Sequence, residues 1–181
     1  MRIRQARADD AGRLSELALR SKAHWGYDAE FLEACRAELT VTAKQCAAGE
    51  VSVAEGDGGE FAGFSRVVSD ASGSGRAAGL GRASDAGTGA GAEVEGVLEA
   101  LFVDPAFIGQ GVGGRLLRHA LARAAAMGLT SLVLDADPFA VPFYEHCGAS
   151  IIGTAPSGSI AGRELPRMRI GTAASFDARE G

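Results

Sequence analysis

Two features of this sequence are of a type and spacing that could do chemistry. The first is a run of four glycines in six residues, Gly109-Gln110-Gly111-Val112-Gly113-Gly114. It lies directly ahead of Leu116, Leu117, Ala120, Leu121, Ala124 and Met127, which recur at three- and four-residue steps and mark the apolar face of a helix. A helix start leaves its first amides without internal partners, its dipole favours negative charge, and residues lacking a Cβ let a phosphate approach the backbone closely. The loop therefore predicts a phosphate site. The second feature is Glu99, a carboxylate inside the otherwise apolar run Val97 to Val103. Strict alternation puts Val97, Glu99, Leu101 and Val103 on one face and Leu98, Ala100 and Phe102 on the other. A carboxylate on such a face is usually ion-paired or functional, and both readings stand at this point.

Read literally, Gly109-x-Gly111-x-x-Gly114 followed by Asp135 matches a dinucleotide fingerprint. Against it, Asp104 to Ile108 separate the strand from the glycines, about a hundred residues precede the unit, and too little chain remains for a second half-sheet. A P-loop is excluded because no Gly-Lys-Ser/Thr follows.

The same residues resemble another family. Val103-Asp104-Pro105, Gln110-Gly111-Val112-Gly113-Gly114-Arg115-Leu116-Leu117, and Phe143-Tyr144-Glu145-His146-Cys147-Gly148-Ala149 are similar to the motifs of the GNAT superfamily of N-acetyltransferases. The resemblance implies an α/β three-layer sandwich, with a mixed central β-sheet flanked by helices. It implies acetyl-CoA as co-substrate, transfer to a primary amine by direct attack in a ternary complex, and no metal. Gln110, Gly111, Val112, Gly113, Gly114 and Arg115 would hold the pyrophosphate. Because Ile108 falls where the family carries a polar side chain, backbone amides would make that contact. The backbone of Leu101, Phe102 and Val103 would meet the acetyl group and pantetheine. Tyr144 would donate to the leaving thiolate, its alternative being a core tyrosine. Glu99 matches the position of a general base. A non-catalytic acyl-CoA-sensing module acting through a protein partner is the reading from a different class.

Three segments bear on the acceptor. His24-Trp25-Gly26-Tyr27 is either an aromatic staple between two helices or, as the resemblance implies, an acceptor wall made by His24, Trp25 and Tyr27. Ser157, Ser159 and Arg163 either read a polar or anionic acceptor or belong to a plain solvated loop. His119, with Arg115, Arg118 and Arg123, is expected on the wet side of its helix. The acceptor class stays open between small amines and peptides, the acidic composition and aromatic loop favouring a small or cationic one.

The elements that must position these groups follow from the patterning. Met1 to Arg7 alternates as a strand, and Asp9 or Asp10 caps a helix with Leu14, Leu17 and Ala18 inward. Asp28 caps a second helix with Phe31, Leu32, Cys35 and Leu39 inward. Val51 to Glu55 and Phe61 to Val68 form a hairpin. The Gly/Ser/Ala-rich stretch of about 69–92 reads as a flexible insertion, and 173–181 as a frayed tail. Ser131 to Asp135 is a buried strand. Asp137-Pro138 opens a helix that Gly148 ends, and two strands close the order β-α-α-β-β-β-α-β-α-β-β.

With 181 residues and 46% hydrophobic content, residues 1–172 fit one domain. A formal net charge of -5 argues against a nucleic-acid surface. No apolar signal core or membrane-length run is present, and three cysteines without metal-type spacing suit a reduced cytoplasm. The resemblance also implies homodimer formation, frequent among relatives.

Overall fold

The computed structural model describes residues 1–69 and 93–174. Seven strands form one sheet: β1 (Arg2–Gln5), β2 (Val51–Glu55), β3 (Phe61–Ser69), β4 (Glu95–Val103), β5 (Ser131–Asp135), β6 (Ser150–Pro156) and β7 (Glu164–Gly171). Their spatial order is β1-β2-β3-β4-β5-β7-β6. All neighbours are antiparallel except β4 and β5, which are parallel and connected through α4 (Val112–Ala126). This mixed order excludes a doubly wound dinucleotide fold.

Helices cover both faces. On one side, α1 (Ala11–Ala23) and α2 (Ala29–Leu39) bury Leu14, Leu17, Ala18, Cys35 and Leu39 against Val51, Val53 and Phe64. On the other, α4 buries Leu117, Ala120, Leu121 and Ala124, with α5 (Val141–His146) beside it. The helical periodicity thus sorts onto two cores, one per sheet face. Asp28 caps α2 by accepting from the Phe31 amide at 2.8 Å. Gly148, at φ +89°, follows α5 as expected of a left-handed cap.

Several expectations change. A short α3 (Ala43–Ala47) follows α2, started by a capping box. There the Gln45 amide donates to Thr42 Oγ1 at 3.3 Å, and the Thr42 amide to Gln45 Oε1 at 2.8 Å. That signature was present in the sequence as Thr42-Ala43-Lys44-Gln45. The helix opened by Asp137 is a 3-10 turn, Pro138–Ala140, before a six-residue α5. Ser69 belongs to β3, paired with Gly96, and the rest of the expected insertion lies outside the described residues. So does the tail beyond Ala174.

Two expected surface groups turn inward. His119 is half-buried, with a buried Nε2 that has no hydrogen-bond partner among the described residues. Arg123 reaches across to β2, donating to Ser52 Oγ at 3.1 Å and to the Gly49 carbonyl at 2.7 Å. Long side chains on a helix flank can lie along the sheet instead of pointing away from it, so 3.6-residue periodicity misassigned both.

Candidate active site

The site exists because β4 and β5 part company. They pair only over Glu95 to Val97 and Ser131 to Val133. Beyond that the strands splay, and a cavity of about 330 Å³ opens between them. Its walls are the β4 stretch Val97 to Val103, the β5 end Val133 to Asp137, and residues of α1, α2, α5 and the loop before β7. The Asp104 amide donates to the Ala62 carbonyl of β3 at 2.9 Å. Alternation then turns the Phe102 backbone groups to β3 and leaves those of Leu101 and Val103 facing the cleft.

A bulge next to Glu99 corrects its expected face. Arg66 pairs with Ala100, yet Val67 pairs with Leu98, so Glu99 is the extra residue of β4. It therefore falls in phase with Ala100 and Phe102, which pack in the α1/α2 core, while Leu101 and Val103 pack toward α4. Glu99 lines both the main cavity and a second hollow bounded by Glu38 and Arg66. Its side chain is 6% exposed, and the Arg66 guanidinium, itself bonded to Glu50 at 2.9 Å, stands 3.9 Å away. Alternation cannot foresee an inserted residue, which is why the sequence assigned the wrong side.

The glycine loop stands at the mouth. Asp104 accepts from the Ala106 amide at 3.1 Å and starts a 3-10 turn over Pro105–Phe107. Gly109 (φ +76°) and Gly111 (φ +70°) then adopt left-handed conformations that L side chains rarely reach. The first ladder bond of α4 runs from the Arg115 amide to the Gly111 carbonyl at 3.1 Å, so the Val112, Gly113 and Gly114 amides precede it. The Gln110 amide is spent on the Phe107 carbonyl at 3.3 Å, and its side chain folds back to Ala106. Arg115 is exposed and donates to the Met1 carbonyl at 3.1 Å. A Cβ on Gly113 would meet the Phe143 ring at 3.4 Å, an ordinary van der Waals contact, so packing by itself does not require glycine at this position.

Tyr144 is buried in the α4-side core and lines the cavity. Burial, with a lesser contribution from Cys147, pushes its phenol well above the ordinary value. The group stays protonated at physiological pH and can offer its hydrogen to an acceptor in the cavity, although the upward shift makes it a weaker acid.

The acceptor-wall residues divide. Trp25, 41% exposed, lines the cavity and stacks on Phe139 at 5.5 Å with 6° between planes. His24 only edges Trp25 and does not line the cavity. Tyr27 sits behind the wall, stacked on Phe31 at 4.1 Å and donating to Asp137 at 3.0 Å. The Asp137 carboxylate also accepts from Lys22 Nζ at 2.5 Å and from the Phe139 amide at 3.1 Å. Burial raises its pKa, but these donors outweigh it and hold the carboxyl below the usual range. Lys22 and Asp137 were not singled out from the sequence. Only Asp137-Pro138 carried a signal, and that signal was for a helix start.

The parting strands, the glycine loop with its helix, and the buried phenol thus meet at one cavity. Comparison with known proteins gives the family: the chain belongs to the acetyltransferase (GNAT) family, whose model matches residues 23–149. It is 36% identical over 73 residues to the peptidyl-lysine N-acetyltransferase YjaB of Salmonella typhimurium. That stretch covers 40% of this chain and 48% of that protein, so the match spans about half the relative's length. Among solved structures, the PaiA N-acetyltransferase of Thermoplasma acidophilum in complex with coenzyme A is similar in fold, with a TM-score of 0.66. It is 17% identical, covering 94% of this chain and 98% of that one. Apo-form YjaB of Escherichia coli has a TM-score of 0.60 at 20% identity, covering 96% and 98%. Among the described residues, no helix is long and apolar enough to cross a membrane.

Proposed function

We propose that this protein transfers an acetyl group from acetyl-CoA to a primary amine by direct attack in a ternary complex. The observation that carries this reading is the splay of β4 from β5, with a glycine-led helix start at one end and the Tyr144 phenol inside. The Gly111 to Gly114 backbone and the α4 dipole suit a pyrophosphate. Leu101 and Val103 present backbone groups to a pantetheine chain, an interaction that orders the thioester along β4.

A free alkylammonium has a pKa of about 10.4 and must lose a proton before it can attack. Glu99 is the base in this reading, supported by its cavity position and its burial beside Arg66. The amine nitrogen then bonds to the thioester carbonyl carbon, a backbone amide stabilises the oxyanion, and the carbon–sulfur bond breaks. Tyr144 gives its proton to the departing thiolate. Trp25 and Phe139 wall the acceptor side, with Tyr27 behind them; His24 takes no part.

The same reading takes residues 1–172 as one domain, supported by the single sheet. Three free cysteines support a cytoplasmic setting. The acceptor named for the Salmonella relative, a peptidyl lysine, makes protein lysine one candidate among primary amines.

Thermal melting with acetyl-CoA, CoA and NADH tests the donor. A ligand at about 100 times its Kd adds roughly 2.7 kcal/mol, a rise of about 5–10 °C for a chain this size. The rise is expected with both CoA species and not with NADH; a rise with NADH alone would sink the reading. For the chemistry, Tyr144→Phe should lower kcat about 100-fold or more, with acetyl-CoA affinity little altered. Unchanged turnover would make Tyr144 structural. Steady turnover with any amine eliminates a purely acyl-CoA-sensing role.

A further inference from the structure

The charge balance of the cavity is uneven. On the α1 side, two cations share one carboxylate: Lys22 Nζ lies 2.5 Å and Arg163 Nη2 lies 3.5 Å from Asp137. All three side chains are largely removed from water, at 15%, 19% and 16% exposure. The same Arg163 nitrogen donates a hydrogen bond to the Tyr27 hydroxyl at 2.7 Å, and its charge lies over the Tyr27 and Phe31 rings. Neither ring brings a counter-charge, and burial and the neighbouring Asp137 keep the Tyr27 phenol neutral. A guanidinium has five donors and an ammonium three, so most of theirs are not used by these partners. Arg167, on the same cavity wall, is matched one to one instead, with bidentate bonds to Asp135 at 2.8 and 3.1 Å.

A net positive charge held away from water is costly unless an anion completes it. Both Lys22 and Arg163 line the cavity; Glu38 of α2 lines it as well, but that residue is exposed to water and its carboxylate accepts from Ser159 Oγ. Glu99, on the β4 wall, supplies the opposite charge where an amine would be deprotonated. The two ends differ in sign, and a ligand complementary to both carries an amine and an acid.

We infer that the acceptor is a small amine that also bears a carboxylate, such as a free amino acid, with that carboxylate held by Arg163 and Lys22. The inference rests on the acetyl-transfer reading and narrows it. The amine nitrogen forms the new amide bond, the thioester carbon–sulfur bond breaks, and the ammonium proton leaves through Glu99. The thiolate takes the Tyr144 proton, and the second proton that the nitrogen sheds as the amide forms restores the phenol, so the products are an N-acetylated acid and CoA.

The test is CoA release from acetyl-CoA with free L-amino acids and their C-terminal amides, side by side. The accepted amino acid should exceed its own amide in kcat/KM by about 10-fold or more. Arg163→Gln should collapse that ratio toward one, and Arg163→Lys should retain part of it. Amides, simple alkylamines or peptide lysines used equally well or better would overturn the inference and leave acetyl transfer standing. No CoA release with any amine would instead remove acetyl transfer, and the inference with it. Should the Arg163 variants fail to fold, calorimetry on the unaltered protein decides the point. With CoA present, N-acetyl amino acids must bind more tightly than N-acetyl amino-acid amides, and equal binding overturns the inference.

Discussion

The two halves of the cavity are built in opposite ways. The half facing the glycine loop comes from nearly contiguous chain: β4, a 3-10 turn and the start of α4 all lie between Glu95 and Ala126. Its polar groups are backbone amides, held by left-handed glycines and a helix terminus. The half facing α1 is assembled from remote positions, Lys22, Asp137 and Arg163, and its polar groups are charged side chains. Backbone recognition tolerates side-chain change as long as the dihedrals survive. Side-chain recognition depends on every partner, so this half should be the more fragile one.

Substitutions can break or sharpen that contrast. The largest effect is expected at the border between the halves. Glu99→Gln should lower kcat/KM at pH 7 about 100-fold, with recovery as pH rises toward the amine's own pKa, because hydroxide then does the deprotonation. A loss equal at every pH would mean that Glu99 serves only to balance Arg66.

Asp137→Asn should be the next most damaging, because it leaves Lys22 and Arg163 facing each other without a counter-charge. About 2 kcal/mol of stability is expected to go, read from urea unfolding. The Asp137 carboxyl is held below its usual range, so the stability it contributes is present above the unfolded pKa of about 3.9. That contribution is lost as pH falls through the lower folded value, and the mutant and the parent should converge only in strong acid.

Gly111→Ala probes the other half and should cost less. A Cβ at φ +70° strains the turn by about 1 kcal/mol, and acetyl-CoA affinity should fall about 5-fold by titration. If it cost more than Asp137→Asn, the proposed difference between the halves would be reversed.

The smallest effect lies away from the cavity, at His119. Burial and then Arg123 lower its pKa, so the folded state holds fewer protons than the unfolded one below about pH 6.5. Stability is therefore full above that pH and falls on acidification, by a Tm drop on the order of 1–2 °C. His119→Leu should flatten this part of the pH dependence.

What the sequence determined by itself is whatever depends on near neighbours. Glycine spacing, the apolar repeat after it, the caps at Asp28 and Thr42, and the order of strands and helices are local relations, legible because dihedral preference and helix or strand period act over a few residues. With them came the family and the place of the glycine loop ahead of α4. The sequence was silent or misleading wherever a partner came from far away. Glu99 changed face because a bulge, a relation between β3 and β4, inserted one residue into the alternation. Arg123 turned inward because the β2 side of the sheet offered it acceptors at Ser52 and Gly49. The pairing of Lys22 with Asp137 spans 115 residues, and that of Tyr27 with Arg163 spans 136. Nothing in the local chemistry of those residues encodes their meeting; only the closure of the sheet and the crossing of α1 over it bring their charges within Coulombic reach.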